Sequence, residues 1–262
     1  MNYDCIFWDW NGTLLDDTDY CIATVNKSIL KRGLKELTKS RYYEIFRFPV
    51  IDYYCDLGFD FTKENYDDLA VEFNVNYAEN SNQLKLKREA KEVLEVFYGK
   101  KIPQYILSAS EGDVLKTALS FYGIEKYFDA LSTSDNYRAS GKAERGKEFA
   151  NEVARGKKIL LVGDSEHDLE TAKAIGADCV LCKGGHTSDE KLATLGVTVI
   201  DNLYGLYPIV IGTRKGTAVS SVNVSDLERR SFDINEAEPK NFSTTYKAFY
   251  DDLKNTNKTE DW

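Results

Sequence analysis

Four prolines and 17 glycines in 262 residues are too few for a collagen-like or low-complexity chain. Cysteine is sparse too. Cys5, Cys21, Cys55, Cys179 and Cys182 are an odd, scattered set. They exclude a disulfide-stapled miniprotein and fit reduced thiols in a cytosol. Cys179 and Cys182 stand three apart on an expected strand, so they face opposite sides and read as buried structural residues. No apolar stretch approaches the roughly 18 residues that span a bilayer. Basic residues are outnumbered, 34 against 43, for a formal charge of -9. That balance argues against nucleic-acid or anionic-membrane partners and leaves room only for a local basic pocket. Met1 to Asp9 lacks a basic region and carries two acids. It reads as a strand, not a secretory signal.

Apolar residues make up 42% of the chain. Size scaling buries roughly 73% of the unfolded surface, enough for a sizeable core. Short apolar runs alternate with helical patterns, the signature of a parallel α/β fold. Strands are expected at Tyr3–Trp8, Gln104–Ser108, Ala130–Thr133, Lys158–Gly163, Cys179–Cys182 and Val197–Ile200. Helices are expected at Ala90–Tyr98, Asp113–Tyr122, Ala143–Ala154 and Asp168–Ile175, with Gly99, Gly123, Gly156 and Gly176 as their stops.

Residues 16–82 interrupt that rhythm. Ile22, Val25, Ile29 and Leu30 fall at helical spacing, as do Tyr66, Leu69, Ala70, Phe73 and Tyr77, with the aromatic segment Arg41–Phe61 between them. A small helical domain inserted into a core of residues 1–15 and 83–212 is the expected organisation. The extension 213–262 is poorer in apolar residues, 15 of 50. Yet Phe242, Tyr246, Phe249, Tyr250 and Leu253 share one helix face. One amphipathic helix should therefore dock there, on the core or on a second subunit, so monomer and homodimer both stay open.

Four motifs carry chemistry. Asp9-Trp10-Asn11-Gly12-Thr13-Leu14 follows the first strand. An acid at that carboxyl end sits where α/β folds place their sites, and the turn at Gly12 frees backbone N–H groups for an anion. Ser108 ends the second core strand just before Ala109, and a hydroxyl with backbone N–H groups there can hold a phosphate oxygen. Lys142 precedes a helix. Gly163-Asp164-Ser165-Glu166-His167-Asp168 sets two carboxylates four apart after a later strand. Singly these are a turn, a cap serine, a surface lysine and a helix-start acid pair. Their order at strand ends makes chance a poor account.

This pattern resembles the haloacid dehalogenase-like superfamily, in its phosphoglycolate-phosphatase-like branch, over about residues 3–212. The resemblance implies a Rossmann-like parallel sheet core with a helical cap. It further implies Mg²⁺-dependent hydrolysis of a small phosphorylated metabolite through an aspartyl phosphate. Asp9 would be the nucleophile. Asp9, Asp164 and the main-chain carbonyl of Asn11 would hold the ion. Gly12, Ser108, Ala109 and Lys142 would bind the phosphoryl group, with Asp168 and Ser165 supporting them. Elementary electrostatics agrees: two unit charges 4 Å apart interact by roughly 4 kcal/mol at an effective dielectric of 20. A carboxylate therefore needs a cation and a lysine before it can approach a phosphate.

Position 11 departs from the pattern. Most phosphatases of the superfamily carry there an Asp that protonates the leaving group and then activates water. A carboxamide does neither. Good leaving groups, a proton from the substrate or cap, or a protein that binds phosphate metabolites with little turnover would each accommodate the change. Dehalogenase chemistry is disfavoured because Gly163-Asp164-Ser165 is intact. Phosphonatase chemistry would need a cap lysine among Lys27, Lys31, Lys35 and Lys39, which otherwise read as solvated. In the cap, Arg47 and Phe48 are candidates for substrate specificity, because Pro49 disfavours helix at Phe48 and marks an interhelical loop. Tyr42 and Tyr43 read as core, and His167 and His186 as ordinary loop histidines.

Overall fold

The computed structural model describes residues 1–134 and 141–212. The 213–262 extension, with its expected docked helix, lies outside the described residues. Six strands form a wholly parallel sheet: β1 (Cys5–Trp8), β4 (Gln104–Glu111), β5 (Ala130–Ser134), β6 (Ile159–Gly163), β7 (Asp178–Cys182) and β8 (Thr198–Ile200), in the order β5-β4-β1-β6-β7-β8. Helices connect them: α5 (Ala90–Gly99), α6 (Gly112–Phe121), α7 (Lys142–Val153) and α8 (Glu166–Ile175), followed by the short α9 (Asp189–Leu192) and α10 (Leu206–Ile211).

Strand β1 shows why the sequence folds this way. Its four residues are completely buried. Ile6 and Trp8 join one apolar cluster, while Cys5 and Phe7 join the cluster on the opposite face. That is the period-two pattern of a strand covered by helices on both sides. Cys182 and Cys179 divide between the two clusters in the same way, so the C-x-x-C is structural. Chain order reverses around β1, which lies between β4 and β6. The crevice at such a reversal, outside the strands' carboxyl ends, is where open α/β sheets bind ligands.

Two local expectations shift. The run from Gln104 stays extended to Glu111, three residues past Ser108, with an irregularity against β5. Glu111 caps α6 instead, accepting the Asp113 and Val114 N–H groups at 3.0 Å. Gly99 lies within α5, and the left-handed residue after it is Lys101, at φ 57°.

The helical insertion hangs from a two-strand ribbon. Strand β2 (Leu15–Asp16) pairs antiparallel with β3 (Lys85–Leu86). Between them run α1 (Thr18–Lys31), α2 (Lys39–Ile45), α3 (Val50–Asp56) and α4 (Tyr66–Ala78). They share their own apolar cluster, including Ile22, Ile29, Tyr42, Tyr53 and Leu69. Arg32 at the end of α1 clamps Glu64 at 2.8 Å and Glu72 at 3.0 Å, tying α1 to α4. No helix among the described residues is long and apolar enough to cross a membrane.

Candidate active site

The acidic centre is built from two strand ends and the first turn of a helix. Asp9 continues β1 by one residue, its N–H donating to Val162 O at 2.9 Å. Asp164 follows β6 directly. Asp168 occupies the first turn of α8, where Ser165 is the N-cap in a reciprocal capping box. Asp168 Oδ2 accepts Ser165 Oγ at 2.6 Å and the Ser165 N–H at 3.1 Å. Its Oδ1 takes Lys142 Nζ at 2.6 Å, and the same ammonium donates to Asp9 Oδ1. Thr13 Oγ1 donates to Asp9 Oδ2 at 3.0 Å and lies 3.2 Å from Asp164 Oδ1.

The local backbone follows from close approach. Gly12 has φ 73°, and a Cβ there would lie 2.7 Å from the His186 ring and collide with Asp164. Only glycine meets both conditions.

Three buried carboxylates face one buried lysine. Burial pushes Asp9 up to about 7, reinforced by the charge of Asp168 and opposed by Lys142. Burial likewise raises Asp164 to about 6, against the pull of His186. Asp168 goes the other way: burial alone would raise it, but Lys142 and the Ser165 hydrogen bond hold it low. The excess of negative charge fits a divalent cation. The carboxylate oxygens of Asp9, Asp164 and Asp168 lie within 4.8 Å of one another. An all-oxygen donor set suits a hard ion such as Mg²⁺.

Asn11 is held by its side chain. Its Oδ1 accepts Ser110 Oγ at 2.7 Å, and its Nδ2 donates to Asp17 Oδ2 at 2.7 Å. Asp17 is the residue that reading the sequence missed. It also accepts the Gly12 N–H at 2.9 Å and the Tyr77 hydroxyl at 2.8 Å, and it lies 3.3 Å from His186 Nε2. Burial would raise Asp17, but the His186 charge and the hydrogen bonds of His186, Asn11 and Tyr77 bring it to about 2. His186 is more than a loop histidine. Burial would lower its proton affinity, yet Asp17 raises it to about 9. Its Nδ1 lies 2.7 Å from the Tyr42 hydroxyl, and its N–H donates to Asp164 at 2.5 Å. The doublet Asp16-Asp17 before a helical run was the visible signal, but its partners lie far away in sequence.

A cavity of about 230 Å³ opens over this centre. Asp9, Asn11, Ser108, Ala109, Lys142, Asp164, Ser165 and Asp168 all line it, so the structure gathers the four motifs into one place. Ser108 Oγ accepts the Ser110 N–H at 3.0 Å. Phe48 lines the cavity and stacks on His167 at 4.2 Å. Arg47 does not line it. Its guanidinium is exposed and paired with Asp56, so the specificity expectation for Arg47 is corrected: the loop turns Phe48 inward and Arg47 outward. Lys27, Lys31 and Lys39 pair with Glu79, Glu72 and Asp19, Lys35 is exposed, and none of the four lines the cavity.

Fold and site together define a parallel α/β enzyme with an acidic centre at its topological switch point. The profile of the haloacid dehalogenase-like hydrolases matches residues 6–182, and the chain belongs to that family. A candidate pyrophosphatase, PpaX, from Caldanaerobacter subterraneus subsp. tengcongensis is 22% identical over 196 residues, covering 70% of this chain and 83% of that protein. Among solved structures, a phosphatase from Clostridium acetobutylicum, so classed by prediction, superposes with a TM-score of 0.67 at 16% identity, over 81% of this chain and 100% of that one. CbbY from Rhodobacter sphaeroides, solved with phosphate, superposes at 0.61 with 15% identity, over 78% and 96%.

Proposed function

We propose that this chain is a Mg²⁺-dependent phosphohydrolase that acts on a small phosphorylated metabolite through an aspartyl phosphate on Asp9. The observation that carries this reading is Lys142, buried between Asp9 and Asp168 beside Asp164. A nucleophilic carboxylate, a fixed cation and a further acid converge at the ends of β1 and β6, with Ser108 across the same cavity.

Each side chain then has a task. Asp9 attacks phosphorus and carries the phosphoryl group. Lys142 holds Asp9 in place and offsets charge that spreads over the phosphoryl oxygens. Asp168 keeps Lys142 charged and positioned, and Ser165 positions Asp168. Ser108 and the Ala109 N–H bind phosphoryl oxygens; the Gly12 N–H, expected to join them, is taken by Asp17 at 2.9 Å, and Gly12 does not line the cavity. A divalent ion held by Asp9, Asp164 and the Asn11 carbonyl would offset the charge of the incoming phosphate. The helices between β2 and β3 form a cap that closes the cavity and excludes water. Five unpaired cysteines fit a reducing compartment, which favours the cytosol.

The test is hydrolysis of acetyl phosphate and p-nitrophenyl phosphate with Mg²⁺, alongside Asp9→Asn. Turnover by the parent and none by the variant supports the reading. Asn11 favours a second one, a binder of phosphate metabolites with little turnover. Beryllium fluoride captured at Asp9 without steady-state turnover would establish the binder instead.

A further inference from the structure

The cavity over Asp9 is acidic at its floor and aromatic in its walls. Phe46, Phe48, Tyr53 and Phe73 come from the cap, and Trp10 and Tyr122 from the core. What matters is how charge is placed among them. Among the described residues, Lys142 is the one lysine or arginine that lines the cavity. It is 3% exposed and committed to Asp9 and Asp168. Of the two lining histidines, His186 has both ring nitrogens engaged. His186 faces Asp17 at 3.3 Å and the Tyr42 hydroxyl at 2.7 Å. His167 lies flat against Phe48, its Nδ1 3.8 Å from Glu170 and its buried Nε2 without a hydrogen-bond partner; burial lowers its proton affinity, so it offers a donor but no fixed charge. Glu111 adds a further negative group to the lining. Among the described residues, a second anionic group would be buried against rings with no uncommitted lysine or arginine to meet it.

The chemistry at position 11 points the same way. The Asn11 carboxamide has no proton to give a departing oxygen, and its amide is committed to Asp17 and Ser110. A leaving group that is stable as an anion needs no proton from position 11. A phenol ionises near pKa 10, as the tyrosine side chain does, whereas water ionises near 15.7. An aryl oxygen departs without a general acid far more readily than an alkyl one.

From the aromatic walls, the absence of an uncommitted lysine or arginine among the described lining residues and the carboxamide at position 11, we infer that the substrate is an aryl phosphate monoester whose ring carries no second anion. The inference rests on the phosphohydrolase reading above. A cavity of about 230 Å³ has room for one ring, since an engineered apolar cavity of about 150 Å³ admits benzene. The ring meets the aromatic walls to which Phe48 and Phe73 contribute, in offset or edge contact. An Asp9 oxygen forms the new bond to phosphorus as the bond from phosphorus to the aryl oxygen breaks. The bonding pair leaves on the aryloxide, which takes a proton from solvent. Water then cleaves the aspartyl phosphate, restoring the Asp9 carboxylate and releasing inorganic phosphate.

The experiment measures kcat and KM of the full chain with Mg²⁺ on phenyl phosphate, acetyl phosphate, phosphoglycolate and pyrophosphate. Acetyl phosphate has a good leaving group but no ring, so it separates leaving-group ability from ring binding. Phenyl phosphate should exceed phosphoglycolate and pyrophosphate in kcat/KM by tenfold or more. In Phe73→Ala the ratio of KM for phenyl phosphate to KM for acetyl phosphate should rise about tenfold. Phe48→Leu, which keeps an apolar side chain in the loop, should move that ratio in the same direction. Faster turnover of phosphoglycolate or pyrophosphate overturns the inference and leaves the phosphohydrolase reading standing. So does an unchanged KM ratio in both variants. No turnover of any of the four, with no beryllium fluoride captured at Asp9, overturns both.

Discussion

The Asn11 side-chain amide donates to Asp17 Oδ2 at 2.7 Å, and Oδ1 of the same carboxylate accepts the Gly12 N–H at 2.9 Å. One buried acid thus holds both residues of the turn after β1. A carboxylate at position 11 would point at this acid; a carboxamide donates to it.

Exchanging the two side chains should therefore do what neither change does alone. Asn11→Asp removes a donor and sets a partly buried acid against the buried Asp17, at a cost of about 2 kcal/mol. Asn11→Asp with Asp17→Asn restores the hydrogen bond in reverse and supplies an acid at position 11. Turnover of an alkyl phosphate should rise by about 10²–10⁴ in the exchanged protein. Urea melts and steady-state kinetics on the four proteins of this cycle check it. Full stability in Asn11→Asp alone would show that Asp17 does not constrain position 11.

Lys142 is the fixed cation of the centre. Lys142→Met should lower kcat by about 10²–10³ and destabilise the fold by about 3–5 kcal/mol, because Asp9 and Asp168 lose their buried partner. Mg²⁺ should raise the Tm of the parent, by up to about 2.7 kcal/mol of stability at 100 times Kd, and EDTA should reverse the gain. Asp164→Asn should abolish the Mg²⁺ response. Differential scanning calorimetry with and without the ion separates these outcomes.

Acid should loosen the helical insertion before the core. Burial would raise the Glu72 carboxyl, but Arg32, Lys31 and Ser28 bring it to about 2. A depressed carboxyl stabilises the fold above its unfolded pKa and loses that contribution as pH falls through the folded one. The contact between α1 and α4 should therefore weaken progressively from about pH 5 toward pH 2, by about 1–2 kcal/mol after allowance for partial exposure. Hydrogen-exchange protection at Ser28 to Arg32, referred to the intrinsic amide rate at each pH, should fall over that range in the parent. In Glu72→Gln that protection should be low throughout and nearly independent of pH.

Asn-Gly sequences deamidate when the following nitrogen attacks the asparagine carboxamide. Here the Gly12 N–H is tied to Asp17 and the Asn11 carboxamide to Asp17 and Ser110. The folded protein should resist deamidation at Asn11, whereas the urea-unfolded chain and Asp17→Ala should acquire Asp at that position. Intact-mass and peptide analysis of aged samples reads this directly. Equal rates in folded and unfolded chains would show that the clamp is ineffective.

The sequence by itself determined the parallel α/β core, because strand and helix periodicity is written over four to twelve neighbouring residues and burial on both faces leaves apolar runs. It also determined which residues stand at the strand ends. Asp9 and Asp164 follow apolar strands and Lys142 opens a helix, as the pattern indicates; Ser108 marks a strand end in that pattern, but β4 continues to Glu111. Only the tertiary structure decided what surrounds position 11. Asp17 meets Tyr77 and His186 across separations of 60 and 169 residues. Such pairings depend on how the insertion packs over the sheet, and no local pattern encodes that. The same packing turned Phe48 into the cavity and Arg47 away from it. Within a loop of a few residues, side-chain direction is set by what each face of the loop can bury.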